Sequence, residues 1–546
     1  MRKILFIALA LCCSRPAWSR EQAGTLPRPK LVVGIVVDQM RWDYLYRYYD
    51  RYSPNGFRRM LDEGFSCENT FINYIPSVTA IGHATTYTGS VPAIHGIAGN
   101  DFIIQATGKS MYCTDDSTVN TVGAAGDAGR MSPRNMLSTT ITDELKLATN
   151  YRSRVIGVAL KDRGSILPAG HLADAAYWFD GKSGNFISST FYMKELPRWV
   201  QEFNARKLPE KLLSKDWNTL YDIRSYVQSY PDDNRYEGRY AGNDRTTFPV
   251  RTSRMTGRSY DAIRSTPYGN TLTTAMAIAA VENEGLGQGE ATDFLAVSFS
   301  STDYVGHKMG VNAIETEDTY LRLDQDLASL FSHLDKSVGK GNYTVFLTAD
   351  HGAAHNPNLL KDKNVPAGLW SGGKVQKELN ALLESRFSVK NIVRSFSNSQ
   401  VNFNYSEISS AGLDEEAIRK TCVRFLREQE GVAFAADMRD LNEAAVPEII
   451  RERLINGYHS DRSGAIAIIL EPAWYSGSPN ATGTTHGSWH AYDTRIPLLW
   501  MGWGVNHGAT NKPANMTDIA ATVAALLHIQ VPNGNIGSPI DELIKR

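Results

Sequence analysis

Six side chains able to hold metal stand at widely separated points of this 546-residue chain. Asp38 closes an apolar run. Asp303 and His307 lie four apart, a spacing that sets both on one face of a helical turn, aimed at a shared point. Asp350 and His351 are adjacent at the end of another apolar run, where two ionisable groups are costly unless a metal or partner charge satisfies them. His486 lies far downstream, in the Thr/Gly-rich stretch Gly483-Thr484-Thr485-His486-Gly487-Ser488. Three carboxylates and three imidazoles with no thiolate suit zinc ahead of manganese or iron. Six ligands exceed what one tetrahedral zinc needs. They match two ions, which at roughly 3.5–4 Å apart activate an attacking oxygen and stabilise a departing one.

The attacking oxygen has two candidates. Ile75-Pro76-Ser77-Val78-Thr79-Ala80-Ile81-Gly82 reads as a loop entering a helix, because Pro76 discourages helix before it and small residues follow. A hydroxyl at that helix start faces the positive end of the dipole, and metal coordination lowers its pKa further. Ser77 and Thr79 both qualify on this chemistry, and either is equally suited to capping the helix.

The elements that must position these groups are short apolar runs. Leu31–Val37 ends at Asp38, and Val155–Leu160 ends at Lys161. Phe294–Phe299 leads to Asp303, and Tyr343–Leu347 leads to Asp350. Runs this short and apolar throughout read as strands buried on both faces, the signature of a parallel sheet. Helical patterns alternate with them: Leu323, Leu327, Leu330 and Leu334 form one stripe, and Thr517-Asp518 reads as the cap of a helix carrying Ile519, Val523, Leu526 and Leu527. The fold class is α/β, a mostly parallel central sheet flanked by helices. Ligands in such sheets bind beyond the carboxyl ends of the strands, where the loaded residues sit. Two stretches interrupt the alternation and read as insertions, at about 177–264 and 356–485. The first is rich in aromatics, and the second includes Phe387-Ser388-Val389, Val401-Asn402-Phe403 and the charged helical stretch Glu415–Arg427.

Asp38, Pro76-Ser77-Val78-Thr79, Asp303-x-x-x-His307, Asp350-His351-Gly352 and His486-Gly487 follow the metal-site order of the alkaline phosphatase superfamily. The chain resembles its PafA-type bacterial alkaline phosphatases over nearly the whole mature length. The resemblance implies a two-zinc phosphate monoester hydrolase with Thr79 as nucleophile. Asp38, Asp350, His351 and the Thr79 oxygen then bind one Zn2+, and Asp303, His307 and His486 the other. Gly99-Asn100-Asp101 resembles the segment whose Asn donates to a phosphate oxygen, and Lys161-Asp162-Arg163 matches the Lys-x-Arg pair of this branch. A monoester is dianionic and has one more charged oxygen than a diester, so Lys161 and Arg163 favour monoesters through charge-assisted bonds. The nearest rival is a phosphodiesterase or nucleotide pyrophosphatase of the same superfamily, differing mainly at that pair. A catalytically inactive metal- or phosphate-binding module has no need of Thr79. No Cys-x-Pro-x-Arg or Ser-x-Pro-x-Arg pattern occurs, which disfavours a sulfatase.

Composition sets the remaining bounds. With 57 basic and 58 acidic residues the formal charge is -1, against nucleic-acid binding by bulk electrostatics. Residues 1–19 read as a secretory signal, with Arg2 and Lys3, an apolar run from Ile4 to Cys13, and small residues Ala17 and Ser19 before the cut. That run is shorter than the roughly 20 residues of a membrane span. The expectation is an exported protein, periplasmic or secreted, whose catalytic domain fills residues 20–546. Cys67, Cys113 and Cys422 remain, and both a Cys67–Cys113 disulfide and three buried thiols stay open.

Overall fold

The computed structural model describes residues 26–255 and 260–545, so the expected signal at 1–19 lies outside the described residues. Its centre is a ten-stranded sheet. Five strands form the middle: β1 (Leu31–Val37), β2 (Val155–Ala159), β3 (Ala175–Asp180), β4 (Asp293–Phe299) and β5 (Tyr343–Thr348). They run parallel in the order β5-β1-β4-β2-β3. Leu498–Gly502 flanks β5 antiparallel, and Asn185–Ser189 flanks β3 antiparallel. Every residue of the five parallel strands is buried. This is why β1, β2, β4 and β5 read as apolar runs in the sequence, each fully buried Val, Leu or Ile adding about 1.5–3 kcal/mol.

The expected leucine stripe lies on helix Ile314–Leu334, with all four leucines fully buried. Helix Asp518–Leu527 forms as expected, but Thr517 makes no side-chain cap bond. The Asp518 carboxylate instead accepts from the backbone N–H of Asn515 and Ser538, holding the chain on either side of the helix. Cys67, Cys113 and Cys422 are buried free thiols, so the disulfide alternative is not realised.

The expected insertions differ in kind. The stretch read from residue 177 begins inside the sheet, because Tyr177–Asp180 complete β3 and Asn185–Ser189 pairs with it. Its aromatic residues there are strand residues buried on both faces. Further on, Trp217 is fully buried and donates to Asp318 Oδ2 at 2.7 Å, a packing role. The later stretch builds a separate four-stranded antiparallel sheet from Val393–Ser397, Gln400–Phe403, Ile466–Leu470 and Val432–Asp437. Helices Gly372–Phe387 and Glu415–Arg427 share its core through Leu379, Leu383, Ile418 and Cys422. Phe387 is the last residue of the first of these helices.

Three short helices follow the sheet's carboxyl edge: α1 (Thr79–Thr88), α2 (Asp162–Ala169) and α3 (Ser301–Met309). α1 docks through two glycines. A Cβ on Gly34 of β1 would sit 2.4 Å from the Tyr87 hydroxyl, and one on Gly82 would sit 2.5–2.7 Å from Asp350 O, Cβ and Cα. Close approach at both points fixes the start of α1 over the ends of β1 and β5. Gly82→Ala is expected to push α1 off the Asp350 backbone, costing about 1–3 kcal/mol as overpacking does. Thermal melting would show it as a lowered Tm, and an unchanged Tm would refute the tight dock.

His95, fully buried after α1, accepts the Ile97 N–H on Nδ1, and burial pushes its pKa down to about 3 from 6.5. The unfolded chain therefore binds the extra proton first, so stability is full above pH 6.5 and falls as pH drops toward 3. His95→Gln is expected to flatten that acid slope in denaturant titrations between these limits, even if it lowers stability at neutral pH.

Candidate active site

The turns after adjacent parallel strands gather the site. Asp38 follows β1, and the next residue, Gln39, turns the chain with φ 65°. Gln39 then donates its backbone N–H to Asp350 Oδ1 at 3.1 Å and its side-chain amide to Asp303 Oδ1 at 2.7 Å. Asp350 and His351 follow β5, and Asp303 and His307 lie one helical turn apart on α3, after β4. His486 arrives from the distant loop, its Nδ1 2.8 Å from the Ser77 carbonyl.

Two groups of three result. Asp38, Asp350 and His351 place ligand atoms within 4.8 Å of one another, as do Asp303, His307 and His486. His351 Nε2 lies 3.6 Å from Asp38 Oδ1 and 3.4 Å from Asp350 Oδ2, and His307 Nε2 lies 3.1 Å from Asp303 Oδ1. The groups adjoin, since the rings of His351 and His486 stack with centroids 3.4 Å apart.

All three imidazoles are oriented alike. Nδ1 of His351, His307 and His486 contacts the carbonyls of Gly352, Thr484 and Ser77 at 3.0, 2.9 and 2.8 Å. A carbonyl only accepts, so Nδ1 carries the proton and Nε2 keeps its lone pair for a metal. Burial keeps His351 uncharged, its pKa lowered to about 4, and burial beside His351 and His307 lowers His486 well below the ordinary value. Burial, with Asp38 alongside, raises Asp350 well above the carboxylate range. Asp38 Oδ1 and Asp350 Oδ2 are buried without a hydrogen-bond partner. Orphaned carboxylate oxygens beside free imidazole lone pairs are what a divalent cation satisfies.

Thr79 opens α1 and is buried, with Oγ1 3.4 Å from His351 Nε2. The N-cap residue, Val78, offers no side-chain cap to this helix. Asn100 Oδ1 instead accepts the Ala80 N–H at 2.9 Å, which fixes the amide so that its NH2 is the outward donor. The Ser77 hydroxyl donates to the Ser488 carbonyl at 2.8 Å and is spent on the loop. Of the two candidate hydroxyls, the structure brings only Thr79 to the triads.

Lys161 and Arg163 flank the start of α2 in different ways. Lys161 Nζ lies 2.6 Å from both Asp38 Oδ2 and Asp303 Oδ2, one carboxylate from each triad. Burial opposes its charge, but Asp303 and Asp38 outweigh burial and raise its pKa. Arg163 Nη1 donates to the Tyr112 hydroxyl at 2.9 Å, and Arg163 Nε is buried without a partner. Tyr112 in turn donates to Asp162 at 2.8 Å, which ties the Asp101–Ile104/Lys109–Tyr112 hairpin, and with it Asn100, to α2.

Sequence reasoning missed Gln39 and Tyr112. Gln39 carried a usable signal, its place beside Asp38 at a strand end; Tyr112 carried none. Of the other histidines, His83 stands one turn behind Thr79, 2.8 Å from Ser298 Oγ and 3.5 Å from Asp350 Oδ2. His355 instead contacts Asn312, and His490 the Leu470 carbonyl.

Residues 32–493 match the family described as type I phosphodiesterase / nucleotide pyrophosphatase. The chain is 55% identical over 545 residues, 99% of each chain, to a Myroides odoratus protein named calcium-transporting ATPase. It is 50% identical to alkaline phosphatase PhoV of Synechococcus elongatus over 100% of each chain, and 49% identical to alkaline phosphatase PafA of Elizabethkingia meningoseptica over 96% of each. The crystal structure of wild-type PafA superposes with a TM-score of 0.94 at 49% identity, covering 96% of this chain and all of that one. Murine ectonucleotide pyrophosphatase / phosphodiesterase 5, at 14% identity and a TM-score of 0.52, shares the fold across 92% of this chain and 96% of its own. This chain belongs to the type I phosphodiesterase / nucleotide pyrophosphatase family, within the alkaline phosphatase superfamily.

Proposed function

We propose that the chain is an alkaline phosphatase that hydrolyses phosphate monoesters through a phosphothreonine at Thr79. The observation that carries this reading is the placement of a buried, non-capping Thr79 hydroxyl at a helix start beside two ligand triads. Identity of about half the residues with two alkaline phosphatases over nearly full length supports it.

Asp38, Asp350, His351 and the Thr79 oxygen would hold one zinc ion, and Asp303, His307 and His486 a second. Such ions, when bound, lower the pKa of a coordinated hydroxyl and stabilise a departing alkoxide. The Thr79 oxygen forms the new bond to phosphorus as the bond to the ester oxygen breaks, and water then cleaves the phosphothreonine. The positive end of α1 faces the transferring phosphoryl group, as helix starts do for anions. The Asn100 NH2, Lys161 ammonium and Arg163 guanidinium supply charge-assisted donors to its non-bridging oxygens. Gln39 holds Asp303 and Asp350 in register across the two triads.

The Lys161 and Arg163 pair favours this reading over a phosphodiesterase, because a diester offers one fewer charged oxygen. The ATPase part of the Myroides relative's name is chemically compatible, since the terminal phosphoryl of ATP also presents three non-bridging oxygens. Among the described residues no helix is long and apolar enough to cross a membrane. Export rests on the leader read in residues 1–19.

Two outcomes test the reading. Chelation is expected to take bound metal from two ions per chain to none and to abolish phosphate release, with zinc restoring both. Asp38→Ala and His307→Ala are each expected to keep about one ion by elemental analysis. One ion per wild-type chain would overturn the two-site assignment. Lys161→Ala/Arg163→Ala is expected to lower kcat/KM for an aryl monoester about 100-fold or more, the scale of lost transition-state donors, and to leave the matching methyl diester little changed. Equal losses on both esters would return the phosphodiesterase reading.

A further inference from the structure

The peptide between Thr79 and Ala80 is gripped at both edges. Its N–H donates to Asn100 Oδ1 at 2.9 Å, and its carbonyl lies 2.8 Å from His83 Nδ1. A carbonyl only accepts, so His83 Nδ1 carries a proton and donates it. His83 stands four residues after Thr79 on α1, which lays its ring over the turn that begins with the nucleophile. The other neighbour of Nδ1, Asp350 Oδ2 at 3.5 Å, is too far to compete with the carbonyl.

The ring is held from behind as well. His83 Nε2 meets the Ser298 hydroxyl at 2.8 Å, and both residues are fully buried. Ser298 lies on β4 and is wedged from its other side by α2. A Cβ on Gly164 of α2 would sit 3.0 Å from Ser298 Oγ and 3.2 Å from its Cβ. One strand residue therefore backs both the helix that starts at Thr79 and the helix that starts beside Lys161. The grip matters because a single torsion, χ1, separates the threonine hydroxyl from its backbone. With the peptide plane fixed, one rotamer sets where Oγ1 stands, 3.4 Å from His351 Nε2.

We propose that His83 is a positioning residue for the nucleophile, aiming the Thr79 oxygen by holding the carbonyl of the peptide that follows it. The assignment rests on the phosphothreonine reading. His83 acts through the Thr79 backbone and touches neither the substrate nor the reacting atoms. Its contribution is therefore shared by every ester that Thr79 attacks, unlike that of Lys161 and Arg163.

Two amide replacements separate positioning from packing. Asparagine carries its NH2 where the ring carries Nδ1, whereas glutamine carries its own where the ring carries Nε2. On the full-length zinc-loaded enzyme, phosphothreonine formation is read by rapid acid quench and metal content by elemental analysis. His83→Gln is expected to slow that step about 100-fold, the scale of a misplaced reacting group, with KM little changed. An aryl monoester and the matching methyl diester are expected to lose by the same factor, with two ions per chain retained. His83→Asn is expected to restore most of the rate, although it fills less of the buried space than glutamine. Ser298→Ala, which frees the back of the ring, is expected to give a smaller loss in the same direction. Phosphothreonine formed at the wild-type rate in His83→Gln would overturn the assignment alone. So would a glutamine variant faster than the asparagine one, the order that packing predicts, or loss of an ion, which would place the effect on Asp350. Absence of phosphothreonine in the wild type would overturn the nucleophile reading and the assignment with it.

Discussion

The structure is organised around an electrostatic cost. Asp38 and Asp350 are fully buried and Asp303 nearly so, all within reach of one ammonium and three imidazoles. Carboxylates removed from water are strongly destabilising unless opposite charge and hydrogen bonds replace the solvent. The protein meets that cost by converging five elements on the carboxyl edge of the sheet. Lys161 bonds one oxygen from each triad, Gln39 bonds two aspartates, and three backbone carbonyls hold the imidazoles in one tautomer. The parallel sheet makes the convergence possible, because neighbouring strands that run the same way release their next residues at one edge.

Much of this was legible in the sequence because burial and function leave separable marks. β1, β4 and β5 are buried at every position and mostly apolar, and each leads within four residues to ionisable groups that a core would not tolerate. The four-residue spacing of Asp303 and His307 became one turn of α3, with Oδ1 and Nε2 3.1 Å apart. The choice between Ser77 and Thr79 was not legible, because it depends on which hydroxyl the fold spends elsewhere. Ser77 is spent on the Ser488 carbonyl, a partner 411 positions away. The start of the first aromatic stretch was misread for a related reason. Tyr177, Trp178 and Phe179 look like loop aromatics until the sheet supplies neighbours on both faces.

Arg163 shows a further limit of sequence. Its place two residues after Lys161 was visible, but its anchor, Tyr112, comes from a hairpin with no chemical motif. Through one hydroxyl and the Asp162 carboxylate, that anchor ties the hairpin that follows Asn100 to α2 and to the guanidinium. Asn100 and Arg163 are thus arranged by a network separate from the one that orders the two triads, with Lys161 between the two.

The bond between His486 Nδ1 and the Ser77 carbonyl joins residues 409 positions apart in the chain. Closing a loop of that length removes a large share of the unfolded chain's freedom, and the entropy involved grows only logarithmically with length. An ion held by His486 and Asp303 would make that closure far harder to open, because binding energy at a site absent from the unfolded chain adds to folding energy. Zinc supply would then govern more than turnover. It would set how long the protein survives heat and proteases, so that metal starvation depletes the enzyme itself as well as its activity.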